Sequence, residues 1–293
     1  GAGGARAAVY GGVMPNVEQV AYWDGSGGEH WVAQQERYDQ INAGFGDRVV
    51  EVLSPCPGER VLDVGCGNGA LSLAIGPLVA PEGSVLGLDI SGPMLARATV
   101  RVRAAGLENV RFERGDAQEL VLLDAGFDAM VSRFGVMFFD DPQVAFANLA
   151  RSLLSGGRVV LACWQDLVVN EWLMVPVGAA LAHVPMPDLG EPGGPGPFSL
   201  ADPDRIRSLL EGIGLNDVSV DDFRCPMVMG ASVDDTVAFM QGTDMAATLM
   251  ADVSEDVAGA AWEAVRAALA PYAGRDGVVL GGAAGIVTAT KPR

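Results

Sequence analysis

The nine residues V-L-D-V-G-C-G-N-G at 61–69 constrain the fold more than any other part of this chain. A short apolar run carrying one acid opens directly into glycines at 65, 67 and 69. A run of that length suits a buried strand, and alternate glycines suit a turn whose backbone adopts conformations closed to other residues. The segment therefore predicts strand, glycine turn and helix start. In an α/β sheet that unit lets backbone N–H groups approach a nucleoside-bearing ligand at the carboxyl edge.

The turn alone admits more than one ligand. Gly65, Gly67 and Ala70 also satisfy the G-x-G-x-x-G/A pattern of dinucleotide binders. Asp89 then falls about 20 residues on, where a ribose-binding acid is expected. Two features point elsewhere. Asp63 sits inside the strand, where a dinucleotide fingerprint has no use for an acid; there it could face a cationic ligand group or hold the turn. Gly115-Asp116-Ala117 ends a third strand-like segment, N-V-R-F-E-R at 109–114, and a short carboxylate there suits the exocyclic amine of a purine.

Alternating patterns predict strands at 60–65, 84–89, 109–114, 127–132 and 157–163, with helices between them, the arrangement of a doubly wound sheet. Ser91 is placed to cap a helix over 91–98 with Pro93 in its first turn. A helix over 142–154 is expected to stop at Ser155-Gly156-Gly157. The chain divides into an N-terminal helical arm (1–53), a core (54–163), an insertion (164–200) with a Pro- and Gly-rich loop at 185–197, more core (201–233), a second insertion (234–280) and a closing strand (281–293). Within these, a helix at 202–212, a strand at 216–224, helical periodicity at 234–271 and a final strand at 284–290 are predicted.

Taken together, D-x-G-x-G-x-G (63–69), G-L-D-I-S (87–91), G-D-A (115–117) and F-D-A-M-V-S-R-F (127–134) resemble the class I S-adenosylmethionine-dependent methyltransferases. G-V-M-F-F-D-D-P (135–142) and L-L-S-G-G-R-V-V-L (153–161) are similar to the bacterial small-molecule branch that includes quinone methyltransferases. The resemblance covers about residues 17–163 and the closing strand. It implies an α/β, doubly wound seven-stranded sheet of order 3-2-1-4-5-7-6; the arm and insertions are expected over its carboxyl edge as a lid, the competing reading being extra core-packing helices. It implies S-adenosyl-L-methionine as cofactor, S-adenosyl-L-homocysteine as product, and no metal.

By the same resemblance, Asp89 takes the ribose hydroxyls, Ile90 lies against the adenine, and Ser91 and Met94 belong to the same cofactor-binding set. Asp116 accepts from the adenine amino group and the Ala117 backbone reads a ring nitrogen. Gly65 and Gly67 line the methionine moiety beside Cys66, Asn68 and Gly69, while Asp63 either orients the turn or contacts the amino group indirectly. Ser132 and Arg133 leave carbonyls for the ammonium, Phe134 follows them, and Met137 begins the acceptor wall. Trp23 and Trp31 on the arm could cover the donor or the acceptor, and Trp164 and Met174 complete the candidate acceptor contacts. Competing readings stand beside these: Asp89 as a helix cap, Asp116 in an Asx-turn, Arg133 bound to a substrate acid or to Asp140, and the tryptophans as plain core.

Methyl transfer from a sulfonium needs placement and exclusion of water more than proton transfer. A base is required only for an acceptor that must lose a proton, and His30 and His183, the two histidines, are the candidates. Seven of the eleven methionines fall in or beside the insertions: Met174, Met186, Met227, Met229, Met240, Met245 and Met250. That composition suits either an irregular lipophilic ligand or adaptable packing.

Lys and Arg number 19 against 37 Asp and Glu, a formal charge of −18, which argues against nucleic acid as the acceptor. No apolar run reaches membrane-spanning length and the start lacks a signal-peptide core, so a cytoplasmic protein without membrane insertion is expected, with a homodimer left open. Cys56, Cys66, Cys163 and Cys225 show no metal-ligand spacing. The function expected is methyl transfer to oxygen or carbon of a mostly apolar small molecule: a quinone, phenol or other natural product. The alternatives are a protein that binds S-adenosylmethionine without methyl transfer, in a cyclase or accessory role, an arsenite methyltransferase using Cys163 and Cys225, and a nicotinamide-dependent dehydrogenase.

Overall fold

The computed structural model describes residues 16–120, 122, 126–186 and 194–293. The glycine-rich start and the middle of the 185–197 loop lie outside the described residues. Strands β1 (Arg60–Val64), β2 (Ser84–Asp89), β3 (Val110–Arg114), β4 (Phe127–Arg133) and β5 (Leu153–Trp164) pair in parallel. Two long strands, β6 (Asn216–Gly230) and β8 (Gly277–Thr290), and the two-residue β7 (Ala273–Gly274) follow. The order is β3-β2-β1-β4-β5-β8-β6, with β8 antiparallel to both neighbours and β7 paired to β8. This is the expected order; only β7, which sequence reading did not resolve, changes the final strand's number.

Strand alternation splits the core. Val61, Val85, Ala129, Val131 and Val160 face α4 (Ala43–Leu53), α5 (Ala70–Val79) and α6 (Gly92–Ala104). Leu62, Val64, Leu86, Leu88, Met130 and Leu161 face α7 (Pro142–Ser152), α9 (Pro203–Gly212) and the inserted helices. Both faces are covered, as a parallel sheet requires. Ser91 caps α6 as predicted, accepting from the Met94 N–H at 3.3 Å.

Two local expectations need correction. The helix expected to stop at Ser155-Gly156-Gly157 ends at Ser152, and Leu153 already belongs to β5. The glycines instead form an irregularity inside that strand, with Gly156 at φ +79° and the Gly156 N–H donating to Lys291 O. The stop comes from outside the motif: the Lys291 ammonium donates to Ala150 O (2.8 Å) and Leu153 O (2.7 Å), satisfying carbonyls at the helix end. The last two long strands also run past their predicted bounds, from 224 to 230 and back from 284 to 277. Pro226 in the first and four Gly in the second hide the extension, yet Met227 and Met229 alternate inward along it.

The arm consists of α1 (Val17–Trp23), α2 (Ser26–Ala33), α3 (Gln35–Ile41) and α4. One carboxylate pins it to the sheet edge: Asp24 accepts from the Gly92 N–H (2.9 Å) and from Arg114 (2.6 Å). Arg101 bridges Asp39 and Asn68 O, both at 2.5 Å, and Arg97 reaches Gln35 at 2.8 Å. The arm thus lies across the glycine turn. Helices α8 (Glu171–Ala180), α10 (Val233–Gln241), α11 (Asp244–Met250) and α12 (Glu255–Leu269) occupy the insertions. No described helix is long and apolar enough to cross a membrane.

Candidate functional site

A cavity of about 650 Å³ opens at the carboxyl ends of β1, β2 and β4, under the arm and the inserted helices. Its floor is the glycine turn. The Gly65 and Cys66 N–H groups both donate to Leu88 O, at 2.8 and 3.1 Å, which fastens the turn to β2. Gly65 has φ +65°, and a Cβ there would stand 2.6 Å from Gly135 Cα. The reverse holds at Gly135, whose Cβ would meet Gly65 Cα at 2.7 Å and Val64 O at 2.8 Å. The turn after β1 and the segment after β4 therefore cross backbone to backbone, which only paired glycines permit.

The acids beside the turn are held by main chain. Asp89 accepts from the Gly67 N–H (2.7 Å) and the Ser91 N–H (2.9 Å). Burial pushes its carboxyl up from the ordinary aspartate value, and those N–H donors pull it back. Asp63 is 1% exposed and accepts from the Ser72 hydroxyl at 2.6 Å; burial pushes it up to about 6, with the Ser72 bond and Arg133 opposing. Asp116 closes an Asx-turn on the Gln118 N–H (2.9 Å), accepts from Asn16 (3.4 Å) and borders the cavity. Arg133 donates to Asn42 O (3.5 Å) rather than pairing with Asp140; burial lowers its pKa, and Asp39 and Asp63 counter that.

The charge balance of the lining is lopsided. Asp39, Asp63, Asp89, Asp116 and Asp244 face one guanidinium, Arg133. A cationic sulfonium with an ammonium suits such a chamber, whereas the pyrophosphate of a dinucleotide would be repelled. Asn68 adds an unfilled bond: its amide donates to Trp31 O (3.0 Å), but its buried side-chain oxygen has no partner among the described residues. An adenosyl ligand bearing hydroxyls and amines fits this acceptor-rich set.

Beyond the turn the walls change character. Phe134, at φ +66°, stacks on Trp164 at 3.9 Å, and Trp31 stacks on Tyr38 at 3.8 Å. Trp172, Phe239, Trp262 and methionines 227, 229, 240, 245 and 250 continue the apolar lining. Polar groups break it at two places. Tyr22 donates to Asp244, and Tyr38 Oη stands 3.1 Å from His30 Nε2. Burial, reinforced by Asp244, raises the hydroxyl pKa of Tyr38 to about 12 and raises that of Tyr22 too.

Of the sequence candidates, Asp63, Gly65, Cys66, Gly67, Asn68, Asp89, Ile90, Met94, Asp116, Ala117, Arg133, Phe134, Trp23, Trp31, His30, Met137 and Trp164 all line the cavity. Five do not. Gly69 faces Ala98 and Phe112, Ser91 is spent on its helix cap, and the buried Ser132 hydroxyl accepts from the Gly135 N–H. Met174 lies off the wall, since its helix turns Leu173, Pro176 and Val177 inward. His183 is exposed past the end of α8, away from the cavity. Cys163 and Cys225 also stay out of the lining, and the described residues contain no cluster able to hold a metal ion. Sequence reasoning missed Gly135, Tyr38, Asp244 and Trp262. Tyr38, seven residues after Trp31 on a helical face, carried the one available signal.

Comparison with known proteins agrees with this geometry. Residues 61–157 match the family described as a methyltransferase domain. The aklanonic acid methyltransferase of Streptomyces sp. (strain C5) is 34% identical over 126 residues, 42% of this chain and 57% of that protein. A demethylmenaquinone methyltransferase of Bacillus cytotoxicus is 32% identical over 133 residues, 43% of this chain and 56% of the relative. The chain thus spans little more than half the length of these relatives. Among solved structures, a Haemonchus contortus phosphoethanolamine N-methyltransferase in complex with S-adenosyl-L-methionine superposes over 96% of this chain and 61% of its own, with TM-score 0.56 and 18% identity, a likeness of fold.

Proposed function

We propose that the chain, whose residues 61–157 match a methyltransferase domain, transfers a methyl group from S-adenosylmethionine to an oxygen or carbon of a mostly apolar small molecule by in-line displacement. The observation that carries this reading is one continuous cavity, acidic and backbone-walled at one end, aromatic and thioether-walled at the other. S-adenosylmethionine, when bound, supplies a methyl already activated by positive sulfur.

The residues would divide the remaining work. Asp89 would hold the ribose hydroxyls, Asp116 and Ala117 the adenine, and the turn from Gly65 to Asn68 the methionine end. The Arg133 carbonyl, at the end of β4 on the cavity wall, would receive the ammonium. The arm and the helices α8 and α10–α12 act as a lid that excludes water and brings the acceptor into line. The relatives' names, aklanonic acid and demethylmenaquinone methyltransferases, support a small organic acceptor of the same broad kind.

Calorimetry tests the reading. The protein should bind S-adenosylhomocysteine and not NAD(H). Asp89→Ala should weaken that binding about a hundredfold, the ~3 kcal/mol that hydrogen bonds to one charged group contribute. Affinity for NAD(H) without affinity for S-adenosylhomocysteine would overturn it.

A further inference from the structure

Resting on the methyl-transfer reading, we propose that Tyr38 contacts the reacting oxygen of the acceptor and that His30 behind it takes the proton, so that the acceptor is a planar arene bearing a hydroxyl group. Among the described lining residues, the proton-exchanging side chains outside the acidic end are Tyr22, His30, Tyr38 and Asp244. The Tyr22 hydroxyl is already committed to Asp244. Among the described residues, the Tyr38 hydroxyl hydrogen-bonds a ring nitrogen, that of His30, and nothing else. With its proton directed at His30 Nε2, in the tautomer protonated at Nδ1, its oxygen keeps lone pairs free for a hydroxyl from the cavity.

The position is fixed as a reacting group's must be. The Tyr38 ring is sandwiched on Trp31, with a 4° angle between planes, and meets the Phe239 ring edge-on at 5.5 Å. Trp31 O accepts from Asn68 of the glycine turn, so Tyr38 stands one ring away from the donor end. Flat aromatic walls and methionines beside it select a flat apolar partner. His30 is only partly buried, so a proton it takes has a route to solvent. The Tyr38 hydroxyl is protonated near physiological pH, as for any tyrosine, and burial raises its pKa further.

The step balances. The acceptor's proton moves to Tyr38 Oη while the Tyr38 proton moves to His30 Nε2. The oxygen's electron pair forms the bond to the methyl carbon, and the carbon–sulfur bond breaks with its pair left on sulfur, which becomes a neutral thioether. His30 then releases its proton to water. The charged and titratable groups facing the pair are Arg37 and Asp39 from its own helix, Tyr22 from α1 and Asp244 from α11.

The probe is 7-hydroxycoumarin, a planar arene whose neutral and ionised forms absorb at different wavelengths, titrated against protein saturated with S-adenosylhomocysteine. In the wild type the bound dye should ionise about one pH unit lower than in Tyr38→Phe or His30→Gln, a roughly tenfold change in the equilibrium. His183→Gln, on the exposed side, should match the wild type. Calorimetry with S-adenosylhomocysteine runs beside each titration: its failure in the wild type would sink the methyl-transfer reading itself. If Tyr38→Phe alone lost that binding, His30→Gln would decide the matter. Equal ionisation in wild type and variants, or no binding of the coumarin by the wild type, overturns the proposal.

Discussion

The two ends of the cavity are made of different materials. At the turn, the contacts are main chain: Leu88 O holds two N–H groups, two more N–H groups hold Asp89, and Gly65 and Gly135 cross in contact. At the far end, side chains from α3, α8, the β6 strand and α10–α12 make the wall, with aromatic rings and flexible thioethers foremost. A backbone site leaves little latitude for substitution and suits a ligand that never changes. A side-chain site is re-cut by ordinary substitutions and suits an acceptor that differs from protein to protein.

That contrast is open to direct attack. The largest effect is expected at the crossing. A single methyl in Gly135→Ala meets three backbone atoms closer than 3.0 Å, which should cost on the order of 3 kcal/mol and be seen in chemical denaturation. A stability change within a few tenths of a kcal/mol would show that the donor end yields as readily as the other. Next comes Asp63, whose carboxyl is raised in the fold from the ordinary 3.8 to about 6. Between those values the native chain keeps a proton that the unfolded chain has lost, so the Asp63 contribution falls as pH rises and is gone above about 6. Asp63→Asn should abolish that decline, a difference on the order of 2 kcal/mol in denaturation curves across the window. Parallel curves for the two proteins would refute it. The smallest effect has the opposite sign. Gly259 sits exposed within α12 with nothing within 4 Å of its Cβ position, so Gly259→Ala should stabilise by about 0.5–1 kcal/mol in thermal unfolding.

The same contrast explains what could be read from the chain alone. Local chemistry was legible: a strand that must turn on glycine, a serine placed to cap α6, acids at strand ends. Each is a short-range requirement, and the parallel sheet follows from their spacing. The Gly65–Gly135 crossing joins positions 70 residues apart, so neither glycine announces its partner. Tyr38 reads as one more helix aromatic until α10 brings Phe239 against it. Met174 and Met137 looked equivalent as apolar residues, and only helix phase sends one off the wall and the other onto it. The misplaced stop of α7 has the same origin, because its capping ammonium arrives from Lys291, about 140 residues later.

The final long strand, β8, lies in the sheet's interior, between β5 and β6. During synthesis both of those strands emerge first, each with an unpaired rim of N–H and C=O groups where β8 will sit. The nascent protein therefore carries a vacant slot until residues 277–290 leave the ribosome, and for that interval it is at its most vulnerable to joining the wrong chain.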